Sequence, residues 1–243
     1  MHRFFIPKES FIGDNVIICG EPLRQIGYVL RLKPADRITV LDNSGREYEV
    51  EIERITKEEA TGKVVNKQIG QGEPAAKITL YQALLKSDKF ELALQKGVEL
   101  GVAAFVPFIS ERCVAQKPSD DKMERWQKII QEAAEQSERS ILPVLYPVVS
   151  FDAACRMAEL PALLLWEEEK SVSLKETLRN PPFKNAKMVN LFIGPEGGFP
   201  SVETEQAKNH GIAIASMGHR ILRAETAGLA AISAILYENG EMG

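Results

Sequence analysis

The feature that most constrains the fold is an alternation of strand-like and helix-like segments that begins near residue 77. Apolar runs with the length of buried strands occupy residues 78–84, 104–109, 144–148, 162–166, 189–193 and 212–217. Helix-like segments lie between them, and Ser87, Ser119 and Ser150 are the predicted N-caps of three of these helices. Strands alternating with helices predict an α/β domain built on a mainly parallel sheet.

The residues before position 77 have the pattern of a small β domain. Short strand-like runs lie at 4–6, 37–41, 47–55 and 60–65, with a turn signal at 42–45 and one or two helical turns at 23–30. Several short strands with turns between them predict a small barrel. The stretch 66–74 contains two glycines and a proline and is the predicted linker. We therefore expect a β-barrel domain over 1–72 and an α/β domain over 73–243.

Two glycine-containing loops mark the candidate site. The strand-like run 188–193 stops at Gly194-Pro195-Glu196-Gly197-Gly198, and a helix-like segment begins at Ser201. A second loop follows the run 212–217 and leads into a helix rich in small residues. Glycines let bare backbone approach a ligand, and α/β proteins bind ligands at the carboxyl ends of their strands. The two loops indicate a site made mostly of backbone groups, which suits a nucleoside-type cofactor.

Composition excludes several classes of protein. The chain has 243 residues with a net charge of −4, which argues against a protein that coats nucleic acid. No apolar run reaches the roughly 18 residues of a membrane helix, and the start of the chain has no signal-peptide pattern, so we expect a cytoplasmic protein. Its three cysteines and three histidines have no ligand spacing, so we expect no metal.

Several segments resemble one family of RNA-modifying enzymes. They are GPEGGF at 194–199, HRILRAETA at 219–227, LLKSDKFELALQKGVELGV at 84–102, SERCV at 110–114 and WQKIIQEAAEQSER at 126–139. Taken in their order along the chain, these segments are similar to the bacterial 16S ribosomal RNA (uracil-N3)-methyltransferase family of the SPOUT superfamily. The resemblance covers nearly the full length. The sequence departs from the family at His219, where proline is expected, at Gln25-Ile26 and at Glu138.

The resemblance implies a fold, a reaction and partners. The fold is a PUA-like RNA-binding β domain followed by a SPOUT α/β domain with a deep trefoil knot. The reaction is methyl transfer from S-adenosylmethionine to N3 of a uridine in 16S ribosomal RNA, with the RNA recognised within the assembled 30S subunit. A homodimer is also implied, and the small residues of the last helix suit either its interface or tight core packing.

The resemblance also places the cofactor against three strand ends. The implied cofactor-binding residues are Leu165, Trp166, Glu167, Gly194, Pro195, Glu196, Gly197, Met217, Gly218, Ile221, Leu222 and Thr226. An adenine ring needs an apolar slot with a few backbone hydrogen bonds, which Ile221 and Leu222 suit. Thr226 alternatively caps the helix that follows it.

Catalytic candidates lie beside the same loops. We expect Arg223, with Arg220 second, to stabilise negative charge on the uracil carbonyls. The alternative for Arg223 is an ion pair with Glu225 at the start of a helix. Glu196 is a candidate proton acceptor, or else it orients its loop or balances the sulfonium charge. His219 is discounted as a base because the family usually lacks histidine there.

Candidate RNA contacts are basic residues in both domains, with ordinary solvated surface as the alternative. They are Arg3, Lys8, Arg24, Arg31, Lys86 and Lys89. Two other functions stay open at this point. One is a ribosomal RNA-binding or assembly factor without catalysis. The other is a SPOUT methyltransferase that acts on transfer RNA or on a small molecule.

Overall fold

The computed structural model describes residues 1–86 and 88–242. Ser87, which the sequence predicts as a helix N-cap, lies outside the described residues. The chain divides into two compact units. The first contains Met1–Glu73 and Ala134–Leu142, and the second contains Pro74–Ala133 and Pro143–Gly243.

The first unit is built on one six-stranded sheet. Its strands are β1 (Arg3–Phe5), β2 (Phe11–Ile12), β3 (Asn15–Ile18), β4 (Arg37–Leu41), β5 (Arg46–Ile55) and β6 (Ala60–Ile69). They are ordered β1-β4-β5-β6-β3-β2, and every neighbouring pair is antiparallel except β1 with β4. A short 3-10 helix (Lys8–Ser10), the helix α1 (Gly20–Arg24) and a π-helical turn (Gln25–Val29) complete the unit. The predicted β-rich front part is confirmed.

The second unit is an α/β structure. Its strands are β7 (Lys77–Ala83), β8 (Ala104–Ile109), β9 (Val144–Leu145), β10 (Val149–Ser150), β11 (Ala162–Leu165), β12 (Met188–Ile193) and β13 (Ala213–Ala215). Its helices are α2 (Lys89–Glu99), α3 (Asp120–Gln136), α4 (Phe151–Met157), α5 (Leu174–Arg179), α6 (Ser201–Asn209) and α7 (Ala224–Glu238), of which α3 belongs to this unit as far as Ala133.

The seven strands of the second unit form one parallel sheet, as the alternation predicts. The order is β10-β8-β7-β12-β11-β13, and β9 also pairs with β8. Leu164 on β11 is level with Phe192 on β12 and with Ile214 on β13. The carboxyl ends of these three neighbouring strands therefore lie side by side at one edge of the sheet. A buried apolar cluster that includes Phe108 and Phe199 fills the space below this edge.

Local sequence explains where several helices begin. The Ser150 hydroxyl accepts a hydrogen bond from the Ala153 N–H, which confirms the predicted cap of α4. The Ser119 hydroxyl similarly accepts from the Lys122 N–H at the start of α3. Such caps satisfy N–H groups that have no partner within the helix. None of the helices described is long and apolar enough to cross a bilayer.

Three expectations about the elements were wrong. The predicted linker 66–74 is partly strand, because β6 pairs with β5 as far as Ile69 opposite Arg46. The predicted strand 144–148 is two short strands, since Pro147 between them has no N–H to donate to the ladder. The hairpin of β2 and β3 was missed because its two strands are only two and four residues long.

Candidate active site

A cavity of about 520 Å³ opens at the carboxyl ends of β11, β12 and β13. Its walls are the three loops that follow these strands, the start of α7 and the side chain of Lys89 on α2. The volume lies within the range of small-molecule pockets. The place of the cavity follows from the sheet order, since neighbouring parallel strands send their connecting loops to the same edge.

The first wall follows β11 and contains Leu165, Trp166 and Glu167. Trp166 ties this wall to the other two strand ends. Its indole N–H donates to the Phe199 carbonyl at 3.0 Å, and its backbone N–H donates to the Ala215 carbonyl at 3.0 Å. Trp166 therefore fixes the relative positions of the three loops.

The second wall is the glycine loop after β12. Gly194, Pro195, Glu196 and Gly198 line the cavity. Gly198 has φ +66°, and a Cβ added there would lie 1.8 Å from the Glu167 carboxylate. The positive φ favours glycine at this position, and a Cβ would in addition displace the flexible end of the Glu167 side chain.

The third wall runs from Ser216 to Arg223 after β13. Gly218 has φ +94°, and no atom lies within 4 Å of where its Cβ would be, so the backbone borders open space. Leu222 is half-buried, whereas the Ile221 side chain is 84% exposed. Arg223 directly precedes α7, and its carbonyl accepts from the Ala227 N–H at 2.8 Å.

The structure brings most of the predicted cofactor and catalytic residues together. The predicted residues that line the cavity are Leu165, Trp166, Glu167, Gly194, Pro195, Glu196, Met217, Gly218, Arg220, Ile221, Leu222 and Arg223, together with Lys89 from the RNA group. Gly197 and Thr226 do not line it. Gly197 faces the neighbouring loop, where its carbonyl accepts a hydrogen bond from the Arg112 guanidinium at 3.0 Å.

Two alternatives for the start of α7 were wrong. Thr226 is the third residue of α7, so it does not cap the helix that begins at Ala224. Glu225 does not pair with Arg223, because among the described residues its ion-pair partner is Lys89. The Lys89 ammonium lies 3.7 Å from Glu225 Oε1 and 3.9 Å from Glu196 Oε1. The sequence does not predict the contact between Lys89 and Glu225, because these residues are 136 positions apart and meet only in the folded chain.

Glu196 contacts both the segment that follows β7 and the side chain of Lys89. Its Oε1 accepts a hydrogen bond from the Lys86 N–H at 3.1 Å, in addition to its contact with the Lys89 ammonium. The carboxylate thus joins the glycine loop to the segment that follows β7. These contacts favour orientation of the loop by Glu196 over proton transfer.

A buried carboxylate at the start of α6 holds the segment that follows β8. Glu203, in the first turn of α6, accepts from the Ser110 hydroxyl at 2.6 Å and from the Glu111 N–H at 2.9 Å.

Burial raises the pKa of the Cys113 thiol, and burial raises the pKa of the Cys155 thiol to about 12. Thiols with raised pKa values stay protonated and are poor nucleophiles. The cysteines of this region are therefore structural.

The predicted RNA contacts of the first unit divide into two groups. Lys8, Arg24 and Arg31 are exposed. The Arg3 side chain is only 9% exposed and lies 2.6 Å from the Glu47 carboxylate. Burial alone would raise the pKa of Glu47, but hydrogen bonds from Arg3 and from Gln68 hold it below its usual value. This placement favours a structural role for Arg3 over a contact with phosphate. Lys86, in the second unit, is exposed.

Comparison with known families decides what kind of protein has this site. The model of an RNA methyltransferase domain matches residues 72–236, and the model of an RNA methyltransferase PUA domain matches residues 26–65. The first match alone covers more than half of the chain.

The chain belongs to the ribosomal RNA small subunit methyltransferase E family. The Bacillus subtilis enzyme of that name is 34% identical over 98% of this chain and 97% of its own length. The Synechocystis enzyme is 35% identical over 97% of this chain and 78% of its own. The crystal structure of the Neisseria gonorrhoeae enzyme bound to S-adenosyl methionine superposes with a TM-score of 0.88 and 31% identity, over 98% of this chain and 97% of that one.

Family membership confirms the PUA-like domain and the α/β methyltransferase domain that the resemblance implied. The parallel sheet of the second unit corresponds to the methyltransferase domain, and the mainly antiparallel sheet of the first unit contains strands of the PUA match. The site described above therefore belongs to the catalytic domain of an RNA methyltransferase. Its position at the strand ends agrees with the expectation from the two glycine loops.

Proposed function

We propose that the protein transfers a methyl group from S-adenosylmethionine to N3 of a uridine in 16S ribosomal RNA. The observation that carries the proposal is the cavity. Three adjacent loops, two of them containing the segments that resemble the family, enclose it at the carboxyl ends of parallel strands. The Neisseria gonorrhoeae relative was crystallised with S-adenosyl methionine, which supports the same cofactor here.

The walls of the cavity fit a nucleoside cofactor. Apolar side chains of Leu165, Ile193 and Leu222 offer a slot for an adenine ring, and bare backbone at Gly194 and Gly218 offers peptide groups for hydrogen bonds. These residues, with Trp166 and Met217 beside them, would hold S-adenosylmethionine. When bound, the cofactor supplies an electrophilic methyl group and leaves as neutral S-adenosylhomocysteine.

The residues around the cavity would act mainly by position and charge. N3 lies on the Watson–Crick edge of uracil, so the base must be unpaired or flipped out to reach the site. Holding N3 behind the methyl group at near-attack distance gives much of the rate. N3 would lose its proton to solvent, which places negative charge largely on the two carbonyl oxygens, and that charge would be discharged as the N3–CH₃ bond forms and the S–CH₃ bond breaks. We assign Arg223, and secondarily Arg220, to stabilise that charge from the third loop.

The two domains predicted from the sequence have different tasks in this proposal. Residues 1–72 form the RNA-binding domain, in which Lys8, Arg24 and Arg31 contact phosphate, and residues 73–243 form the domain that transfers the methyl group. Exposed cations give the sequence-independent part of RNA affinity. We further propose a homodimer, a cytoplasmic location and the 30S subunit as the form in which the RNA is recognised. The trefoil knot of the cofactor loops stays a prediction.

Calorimetric titration with S-adenosylmethionine and S-adenosylhomocysteine, followed by methylation assays on 30S subunits, tests the proposal. We expect the Arg223→Ala variant to bind the cofactor normally and to lose about 100-fold in rate, the typical effect of removing one preorganised donor. Arg156→Ala, which removes an exposed arginine of α4, is the matched control. Full turnover by Arg223→Ala would remove that assignment.

Two other results would replace the proposal. Binding of neither cofactor form would favour the ribosomal RNA-binding factor without catalysis. Methylation of transfer RNA or of a small molecule, with 30S subunits left unmodified, would favour a different acceptor for the same site. Naked 16S RNA assayed beside intact subunits would show which form of the RNA is recognised.

A further inference from the structure

Lys89 reaches the cavity from a different side than the three loops. It is the first residue of α2, which follows β7, and β7 lies beside β12 on the side away from β11. Its side chain is one-third exposed and lines the cavity. The cavity thus has backbone-rich walls after β11, β12 and β13, and a single ammonium on the side of β7.

Two carboxylates hold this ammonium without using its hydrogen bonds. Glu225 Oε1 lies 3.7 Å and Glu196 Oε1 lies 3.9 Å from Lys89 Nζ. Both distances are ion-pair distances beyond hydrogen-bond length, and Nζ has no hydrogen bond with any other described residue. The Lys89 ammonium therefore lies between the two carboxylates, and its three N–H groups remain available to donate to a ligand.

Glu225 is the less usual member of this cluster. It is 8% exposed, and its Oε2 is buried with no hydrogen-bond partner among the described residues. Burying a carboxylate is costly unless a partner compensates for the lost water. Lys89 and the N-terminal end of α7 are the compensating charges that the structure provides. A carboxylate retained at this cost is explained if its task is to place Lys89.

The charge of the cluster indicates what Lys89 binds. One ammonium and two carboxylates give a net charge of −1. A third carboxylate, such as that of the amino-acid end of the cofactor, would be repelled by Glu196 and Glu225. A carbonyl oxygen of uracil is neutral when the base binds and gains only part of one negative charge when N3 loses its proton, so it is repelled less than a carboxylate and accepts a hydrogen bond from the free donors of Lys89. The carbonyl oxygens of uracil flank N3 and have this character.

We propose that Lys89 is a catalytic residue, which donates a hydrogen bond to a carbonyl oxygen of the target uracil, and that Glu225 is the residue that positions it. This inference rests on the proposed function. Loss of the N3 proton to solvent spreads negative charge over the two carbonyl oxygens, and Lys89 stabilises that charge. Formation of the N3–CH₃ bond and cleavage of the S–CH₃ bond then discharge both the imide anion and the sulfonium.

The Lys89→Met variant tests the catalytic role. Methionine keeps most of the length and packing of the side chain and removes the ammonium. We expect S-adenosylmethionine affinity within about twofold of the wild type and a single-turnover methylation rate about 100-fold lower. Lys96→Met removes an exposed lysine two turns further along α2 and is the matched control, with no change in either quantity. Lys89→Arg retains the charge and should keep a larger part of the rate.

The dependence of the rate on pH separates this role from a merely structural one. The Lys89 charge favours ionisation of the N3 imide, so the rate of the wild type should level off at a lower pH than that of Lys89→Met. An RNA that carries 5-fluorouridine at the target position has a more acidic imide. It should restore part of the rate of Lys89→Met and leave that of the wild type nearly unchanged.

Glu225→Gln tests the positioning role while keeping the size of the side chain. We expect a rate between those of the wild type and Lys89→Met, with the same upward shift of the pH profile. A wild-type rate for Lys89→Met would overturn the inference, and so would loss of cofactor binding, which would assign Lys89 to the cofactor. A wild-type protein that binds S-adenosylmethionine but methylates no ribosomal RNA would instead remove the proposed function and this inference with it.

Discussion

Replacement of Trp166 by phenylalanine should weaken cofactor binding by loosening the junction of the three loops. The variant loses the indole N–H that donates to the Phe199 carbonyl at 3.0 Å. A hydrogen bond of this kind contributes about 1 kcal/mol net. The smaller ring also buries less apolar surface, at about 0.8 kcal/mol per methylene equivalent. We therefore expect a loss of about 2 kcal/mol in the free energy of unfolding.

Part of this loss should appear in the affinity for S-adenosylmethionine. A loop that is no longer fixed must be ordered when the ligand binds, which lowers the affinity. If about 1.4 kcal/mol of the loss is coupled to binding, the dissociation constant rises about tenfold. Calorimetric titration measures the constant, and urea unfolding with and without the cofactor measures the coupling.

Trp126 provides a matched control for this experiment. It is fully buried on α3 and packs against Phe90 with the rings tilted and their centroids 4.2 Å apart, and its indole N–H has no partner among the described residues. Trp126→Phe therefore loses packing but no hydrogen bond, and it should change stability without changing cofactor affinity. Wild-type affinity in Trp166→Phe, or an equal loss in both variants, would refute the reasoning.

Two further predictions concern stability. Glu203→Ala leaves the buried Ser110 hydroxyl and the Glu111 N–H without their acceptor, so we expect a loss of about 3 kcal/mol in urea unfolding; a loss below about 1 kcal/mol would contradict this. Glu47 has a lowered pKa in the folded state because hydrogen bonding to Arg3 outweighs its burial, so its contribution is present above the unfolded-state pKa of about 4.3 and is lost as the pH falls further. The free energy of unfolding should fall between about pH 5 and pH 3, and less steeply in Glu47→Gln than in the wild type.

Regular elements of the second unit could be read from the sequence because their patterns are local. The run 104–109 is a strand over the predicted residues, and α3 begins directly after the predicted cap Ser119. An apolar run bounded by turn residues and a serine followed by a helix-like pattern are both contained in a few neighbouring residues. The prediction of a linker at 66–74 was wrong for the opposite reason, since the length of β6 depends on its partner β5.

Some features of the site could likewise be predicted from local sequence, and others arise only in the folded chain. The glycine loop 194–198 and the loop from Met217 could be placed from sequence, because each directly follows a predicted strand. The contact of Lys89 with Glu225 could not, since the residues come from α2 and α7 and meet only after the chain has folded. The burial of Arg3 against Glu47 is a similar case, because β1 and β5 are both neighbours of β4 in the sheet.

Local patterns in the sequence predict most of the strands and helices, the α/β class and the loops that carry the backbone-rich site, because hydrophobic period, caps and glycines act over a few residues. The order of the strands is set by the folded chain, and that order determines which loops meet at one edge of the sheet and which charged side chains share the cavity. That order follows from packing and pairing between segments far apart in the chain. The ammonium of Lys89, held between Glu196 and Glu225, exists as a feature of the site only through that packing.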